Sequence, residues 1–139
     1  MPAHVANARA HDSLDERGTV TVPAQLRFLE LIQTAVRVGL GATDCDPDCA
    51  SDVQLAADEL AAVLIVSARS PGQLRLRVTH DDDDVYVRMS VPLSEAGFHP
   101  RHAGLSRMLL DATADSYDVR VCGDDLVGVL QRAIDRGAM

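Results

Sequence analysis

Two segments of strictly alternating apolar and polar residues constrain this fold more than any other feature of the sequence. Residues 74–78 read Leu-Arg-Leu-Arg-Val, and residues 85–91 read Val-Tyr-Val-Arg-Met-Ser-Val. A period of two places the apolar side chains on one face of a strand and the arginines on the other. Four consecutive aspartates, at positions 81–84, join the two segments as a solvated turn. The pattern predicts a β-hairpin with one face buried against a second layer and its arginine face in water.

Two segments with helical spacing precede this hairpin and supply that second layer. From residue 24, apolar residues recur every three or four positions, and the first helix is expected to end at Gly39 or Gly41. The stretch 43–49 is turn-like. A second apolar stripe runs from residue 53 to residue 68, and we expect Ser51 or Asp52 to cap that helix and Pro71 with the next glycine to end it.

The remaining elements complete an α+β arrangement. A short strand over 19–22 opens the domain, and a helix over 105–114 follows a loop. Residues 117–122 and 126–132 form a last pair, joined by Gly-Asp-Asp; the second member also has helical spacing, but the turn favours a strand. The order predicts a two-layer α/β sandwich, in which helices cover one face of a mostly antiparallel mixed sheet.

Length and charge limit the organisation and the partners. The chain has 139 residues, of which 1–17 lack periodicity and are expected to form a flexible tail, while 18–139 form a single domain. A net charge of −8 disfavours direct nucleic-acid binding, and no apolar run reaches the ~20 residues that span a bilayer. We expect a cytoplasmic protein that binds no membrane. The lysine-free, arginine- and alanine-rich composition is typical of a GC-rich, actinobacterial-type genome.

The three cysteines, Cys45, Cys49 and Cys122, form an odd set without a signal-peptide pattern, which predicts reduced thiols. The C-x3-C spacing lacks the further ligands that a zinc site needs, so we expect no metal there. A reversible Cys45–Cys49 disulfide remains an alternative. Thiol oxidation is one hypothesis for how such a protein would be regulated.

Four short motifs occur in a characteristic order along residues 18–133. They are Leu-Arg-Phe-Leu at 26–29, Val-Gln-Leu-Ala-Ala-Asp-Glu at 53–59, Glu-Ala-Gly-Phe-His-Pro at 95–100 and Ala-Gly-Leu at 103–105. In this order the chain resembles the anti-sigma-factor serine kinases of the RsbW and SpoIIAB type, which belong to the GHKL ATPase superfamily. The resemblance implies a Bergerat-type ATPase-like fold, with Glu59 at the position of the general base and Gly97 and Gly104 in the two glycine boxes.

The chain departs from that family where the family binds its nucleotide. The resemblance places Val63 at the Mg²⁺-binding asparagine and Leu93 at the adenine-binding aspartate. Glu95 and His102 stand at glycine positions. An aliphatic side chain cannot ligate a hard cation, and a carboxylate repels phosphate. We therefore expect a vestigial pocket, an idle Glu59 and no cofactor.

The resemblance implies a regulator that sequesters an alternative sigma factor, antagonised by a STAS-type anti-anti-sigma protein, and that works as a homodimer. Arg27 would contact the partner, although a solvent-exposed arginine is an equally good interpretation of that residue. The alternative function is an active serine kinase that phosphorylates the anti-anti-sigma factor, using weakly bound ATP or ADP with Mg²⁺. A third hypothesis is a small α/β protein with another partner.

Overall fold

The computed structural model describes residues 18–98 and 103–134. Its elements, in chain order, are β1 (Thr19–Pro23), a 3-10 turn (Leu26–Phe28), α1 (Leu29–Leu40), α2 (Pro47–Val66), β2 (Gln73–His80), β3 (Asp84–Pro92), α3 (Ala103–Thr113), β4 (Ser116–Cys122) and β5 (Asp125–Ala133). None of the helices in these residues combines the length and the apolar character that crossing a bilayer requires. The expected tail, 1–17, lies outside the described residues.

The strands form one five-stranded sheet in the order β1-β2-β3-β5-β4. The described pairings are all antiparallel, so this part of the sheet is not mixed. The alternating hairpin is confirmed, with Leu76 opposite Met89 and Arg77 opposite Arg88. The last segment is a strand, as the turn indicated, and it lies in the sheet between β3 and β4. The α+β sandwich predicted from the order of elements is confirmed.

The core lies between the sheet and the helices. The apolar members of the alternating segments are buried there, together with Ile32, Val36 and Leu40 of α1 and most of the apolar stripe of α2. Gly39 sets how closely α1 approaches the sheet. A Cβ at Gly39 of α1 would lie 2.7 Å from the Cβ of Val78 in β2.

On α2, the predicted N-terminus was wrong by about one and a half turns. The helix begins at Pro47, and the Asp46 carboxylate caps it by accepting a hydrogen bond from the backbone N–H of Cys49 at 2.9 Å. Proline is well suited to the first helical position because it has no N–H to leave unpaired. The Asp-Pro pair therefore starts the helix before Ser51 or Asp52 is reached, and part of the turn-like stretch is helical. The helix also ends earlier than expected, at Val66.

Candidate functional site

A cleft of about 470 Å³ opens between α2, α3 and β4. It forms because α3 packs against α2 while β4 continues the sheet beyond them. The lining residues are Val63, Phe98, Ser106, Arg107, Leu110, Asp111, Tyr117, Asp118 and Val119. Burial raises the pKa of the Tyr117 hydroxyl, and its hydrogen bond with Asp111 adds to this shift. The cleft thus combines an apolar floor with a few charged groups.

Glu59 lies beside this cleft, on the side of α2 that faces α3. Ser106, which is only 7% exposed, donates its hydroxyl hydrogen to Oε1 of Glu59. This bond joins two helices across 47 positions of sequence. The carboxylate that the resemblance assigns as a general base is therefore engaged by a side chain of the protein itself.

Val63 follows Glu59 by one helical turn, on the same side of α2, and lines the cleft at 9% exposure. A valine presents methyl groups to the cleft, and the resemblance assigns a metal-binding asparagine to this position. Mg²⁺ is held by oxygen ligands and by its waters, so this side chain offers it no contact. Within residues 18–98 and 103–134, no group of three or more His, Cys, Asp or Glu side chains is placed to hold a metal ion.

Asp58 points to a different side of α2 from Glu59. Its Oδ2 accepts a hydrogen bond from Nε2 of Gln33 on α1 at 3.0 Å. Burial raises the pKa of Asp58; the Gln33 hydrogen bond opposes this shift and the nearby charge of Glu59 adds to it. The two adjacent acids thus contact different helices, Asp58 towards α1 and Glu59 towards α3.

The loop after β3 carries the next predicted residues. Leu93 is half-buried, pairs with Ala68 in an isolated bridge and donates its N–H to the carbonyl of Asp124 at 2.9 Å. It therefore joins the end of α2 to the β4–β5 turn. Glu95 is exposed. Gly97 adopts a positive φ of 81° in a turn closed by its own N–H, which is a conformation that favours glycine.

The second glycine box is described only in part. Gly104 is exposed in the first turn of α3, and a Cβ there would meet no atom within 4 Å. Nothing in its surroundings therefore requires a glycine. His102 lies outside the described residues. Of the predicted pocket residues, the structure brings Glu59 and Val63 to one cleft, with Gly97 adjacent to its Phe98 wall.

Arg27 lies in the 3-10 turn before α1, where it is exposed. Its guanidinium carbon is 4.9 Å from the centre of the Phe28 ring, which is a cation–π distance. Leu31 and Val38 of α1 are 50% and 71% exposed, and they follow Arg27 by four and eleven positions. Seven positions are about two helical turns, so Leu31 and Val38 lie on one side of α1, and Arg27 lies in the turn that precedes this helix. Arg27 is therefore solvent-exposed, as one interpretation expected, and its contact with a partner stays a prediction.

The cysteine prediction needs a correction. Cys45 and Cys49 are paired as a disulfide, with their Cα atoms 5.6 Å apart, and only Cys122 carries a free thiol. The early start of α2 explains this, because it turns Cys49 back towards Cys45, which directly precedes the cap residue. The prediction of three reduced thiols was wrong, and the alternative disulfide is the one the structure contains.

Neither a protein-family model nor a curated protein matches this sequence. Among solved structures, the chain is similar to the crystal structure of the RsbU and RsbW domains of Rv1364c from Mycobacterium tuberculosis, with a TM-score of 0.59 and 13% identity. The match covers 86% of this chain and 33% of that chain.

A second similar structure is the histidine kinase domain of the blue-light activated histidine kinase EL346 from Erythrobacter litoralis. Its TM-score is 0.52 at 15% identity, over 81% of this chain and 62% of that one. The chain thus spans about a third of the first protein's chain and less than two thirds of the second's. The likeness concerns the fold alone: this chain shares an α+β architecture with these two structures.

Proposed function

We propose that this protein is a partner-switching regulator of the anti-sigma type, which binds an alternative sigma factor without phosphorylating anything. Two observations support the class of function: the ordered motifs at 26–29, 53–59, 95–100 and 103–105, and the shared fold with a structure that contains an RsbW domain. In this proposal a STAS-type antagonist competes for the protein, and the working unit is a homodimer.

The cleft between α2 and α3 carries the non-enzymatic half of the proposal. Phosphoryl transfer depends on a metal ion that bridges the phosphates and on exact positioning of the groups around it. Val63 supplies methyl groups where the metal ligand is needed, and the hydroxyl of Ser106 engages Glu59. The donor set therefore does not suit a Mg²⁺-bound nucleotide, and we derive no catalytic step through one.

Arg27 with Leu31 and Val38 forms the surface that supports partner binding. An arginine provides several hydrogen-bond donors on a planar group, and flanking apolar side chains exclude water from such contacts. The Phe28 ring restrains the guanidinium, so less side-chain freedom is lost when a partner binds. Leu31 and Val38, on one side of α1, with Arg27 just before the helix, suit a partner helix laid along α1.

The test is a binding titration with the sigma factors of the source cell, each measured with and without Mg-ATP. We expect one of them to bind with the same affinity in both conditions. Arg27→Ala should weaken that binding by about tenfold or more, as expected for an interface arginine. Arg120→Ala, on β4 in the other layer, removes the same charge and should leave binding unchanged. Binding that requires Mg-ATP would refute the nucleotide-independent mechanism.

A serine kinase is the second candidate, favoured by one observation: the Glu59 carboxylate lies at the cleft and contacts a hydroxyl group. Incubation with labelled ATP, Mg²⁺ and a STAS-type protein tests it directly. Label transfer that is lost in Glu59→Gln would establish the kinase and overturn our proposal. We expect no transfer by either protein.

A further inference from the structure

The side of α3 that faces away from the domain is apolar. Leu105 and Met108 are 70% and 68% exposed, and Leu109 is exposed as well. Residues three and four positions apart are neighbours on a helix, so these side chains form one stripe. The inward side of the helix carries Ser106 and Leu110, which are both buried. The exposed side of α3 is therefore at least as apolar as the side that the fold buries.

This arrangement departs from the usual pattern of a surface helix, which buries its apolar residues and exposes its polar ones. Single exposed apolar side chains are common in folded proteins, whereas larger contiguous groups mark places where another molecule binds. Leu105 and Met108 contribute little to the core, because most of their surface stays in water. The folded domain alone therefore gives the stripe no role.

Leu55 of α2 extends the apolar stripe. It is 57% exposed and lies one helical turn before Glu59, on the same side of α2. Glu59 accepts the hydrogen bond from Ser106, which is the sequence neighbour of Leu105. That contact brings this side of α2 beside α3, so Leu55 adds to the apolar area on the same side of the domain. We call the following set the α3 surface: Leu55, Leu105, Met108 and Leu109.

The charges that α2 contributes around the α3 surface are all negative. The helix carries Asp48, Asp52, Asp58 and Glu59 but no basic residue. Arg132 of β5 pairs with Asp52 at 3.1 Å. Among the described residues, the other three carboxylates have no basic partner: Asp48 forms no ion pair, and the hydrogen bonds to Asp58 and Glu59 come from neutral side chains.

The two charged residues of α3 balance each other. Arg107 and Asp111 are four positions apart, both line the cleft and both interact with the Tyr117 hydroxyl. Arg107 therefore does not compensate the acids of α2. The surroundings of the α3 surface keep a net negative charge, in a chain that carries −8 overall. A basic partner is attracted to such a surface, and an acidic one is repelled by it.

We propose that the α3 surface docks an amphipathic helix of a partner protein, whose apolar side is flanked by lysines or arginines. The three- and four-residue spacing of the stripe on α3 suits a partner helix with apolar residues at the same spacing. Met108, which lies in the middle of the stripe, is unbranched and adapts to the shape of what it contacts. The basic flanks of the partner then meet the unpaired acids of α2.

A second copy of this chain is the poorer occupant of the α3 surface. The stripe on α3 spans only about one helical turn, whereas a stable interface between two proteins buries about 1,200–2,000 Å². A two-fold contact would also bring the acids of both α2 helices towards each other. A membrane with anionic headgroups is disfavoured by the same negative charge.

The α3 surface is distinct from the surface that contains Arg27. Asp58 contacts α1 and Glu59 contacts α3, so the two helices lie on different sides of α2. Arg27 precedes α1. The inference therefore stands or falls independently of the proposed binding of a sigma factor. Arg27→Ala is expected to leave the binding of a basic helix unchanged, which separates the two.

The probe is a fluorescein-labelled peptide of about 18 residues, long enough to form a helix, with leucines on one side and lysines beside them. It is titrated with the whole chain and followed by fluorescence anisotropy. We expect saturable binding that weakens between about 20 and 150 mM salt, because salt screens exposed charges. The same peptide with glutamate in place of lysine should bind about tenfold more weakly or worse, because it meets like charges.

Leu105→Ser/Met108→Ser should weaken binding of the lysine peptide about tenfold or more, since each change removes an apolar side chain that the complex would bury. Leu31→Ser/Val38→Ser is the matched control, because it removes two apolar side chains of comparable exposure from α1. Its affinity for the peptide should change less than about twofold.

Circular dichroism and urea unfolding check that each variant is folded. We expect unfolding midpoints close to that of the parent, because the side chains removed lie mostly in water. Met108→Lys is a second, single change at an exposed helix position, where lysine is a good helix former. It should also weaken binding of the lysine peptide, because it adds a like charge to the α3 surface.

Three results would overturn the proposal. The first is equal binding of the lysine peptide by the parent and by Leu105→Ser/Met108→Ser, or no saturable binding at low salt. The second is equal binding of the lysine and glutamate peptides, which would show that the acids of α2 do not select the partner. The third is a concentration-dependent dimer that the double variant abolishes, which would make the α3 surface an interface between two copies of this chain.

Discussion

Removing the Ser106 hydroxyl tests whether a specific side-chain contact fastens α3 to α2. In Ser106→Ala, the Glu59 carboxylate loses the hydrogen bond donated by Ser106. A hydrogen bond to a charged group contributes about 1.5–3 kcal/mol to stability. Glu59 is only half-buried, so water replaces part of that interaction, and alanine regains about 0.5 kcal/mol of helix propensity. We expect the free energy of unfolding to fall by about 1–2 kcal/mol.

Urea unfolding followed by far-ultraviolet circular dichroism measures this loss. The chain has no tryptophan and only two tyrosines, so intrinsic fluorescence would report little. Glu59→Ala and the double variant complete a double-mutant cycle, whose coupling energy isolates the contact from the separate effects of each change. Thr113→Ala is the matched control on α3, because the Thr113 hydroxyl donates only to the carbonyl of Leu109 in its own helix.

The coupling energy decides the question. Distant, independent sites add within about 0.3–0.5 kcal/mol. A Ser106–Glu59 coupling no larger than that would show that the hydroxyl and the carboxylate do not stabilise each other. The claim that α3 is fastened to α2 at this point would then be refuted. A coupling of about 1 kcal/mol or more would support it.

Three further changes test separate parts of the structure. Asp58→Asn should raise the free energy of unfolding at pH 7 but not at pH 3. The pKa of Asp58 in the folded protein is raised above its usual 3.8, so its charge destabilises the fold only once the pH exceeds that value. An equal gain at both pH values would contradict this. Gly39→Ala should lower the free energy of unfolding by up to about 2 kcal/mol. Crowding of the new methyl group against Val78 costs about 1–3 kcal/mol, and the gain in helix propensity offsets about 1 kcal/mol of it. If crowding is the cause, adding Val78→Ala to this variant should recover the lost stability. Reducing the Cys45–Cys49 disulfide, which has a sequence separation of 4, should lower the free energy of unfolding by about 2 kcal/mol. Urea unfolding with and without reductant measures this difference. Unchanged unfolding midpoints would show that the disulfide does not constrain the unfolded chain.

The sheet could be predicted from the sequence because its signal is local. Alternation over 74–78 and 85–91 fixes which side chains face the core, and the structure places Leu76 and Met89 opposite each other inside it. The last segment was the ambiguous one, since its apolar residues fit both periods. Its turn decided the matter correctly, because a tight turn after β4 returns the chain antiparallel to that strand.

The site was harder to predict because its contacts are long-range or depend on where a helix begins. Nothing near Ser106 in the sequence points to Glu59, which lies 47 positions away and meets it only when α3 packs on α2. The serine was therefore not singled out. The disulfide depended on the cap at Asp46, and a run of aspartates around the cysteines suggested a turn. An aspartate followed by proline was the signal that could have found the true start of the helix.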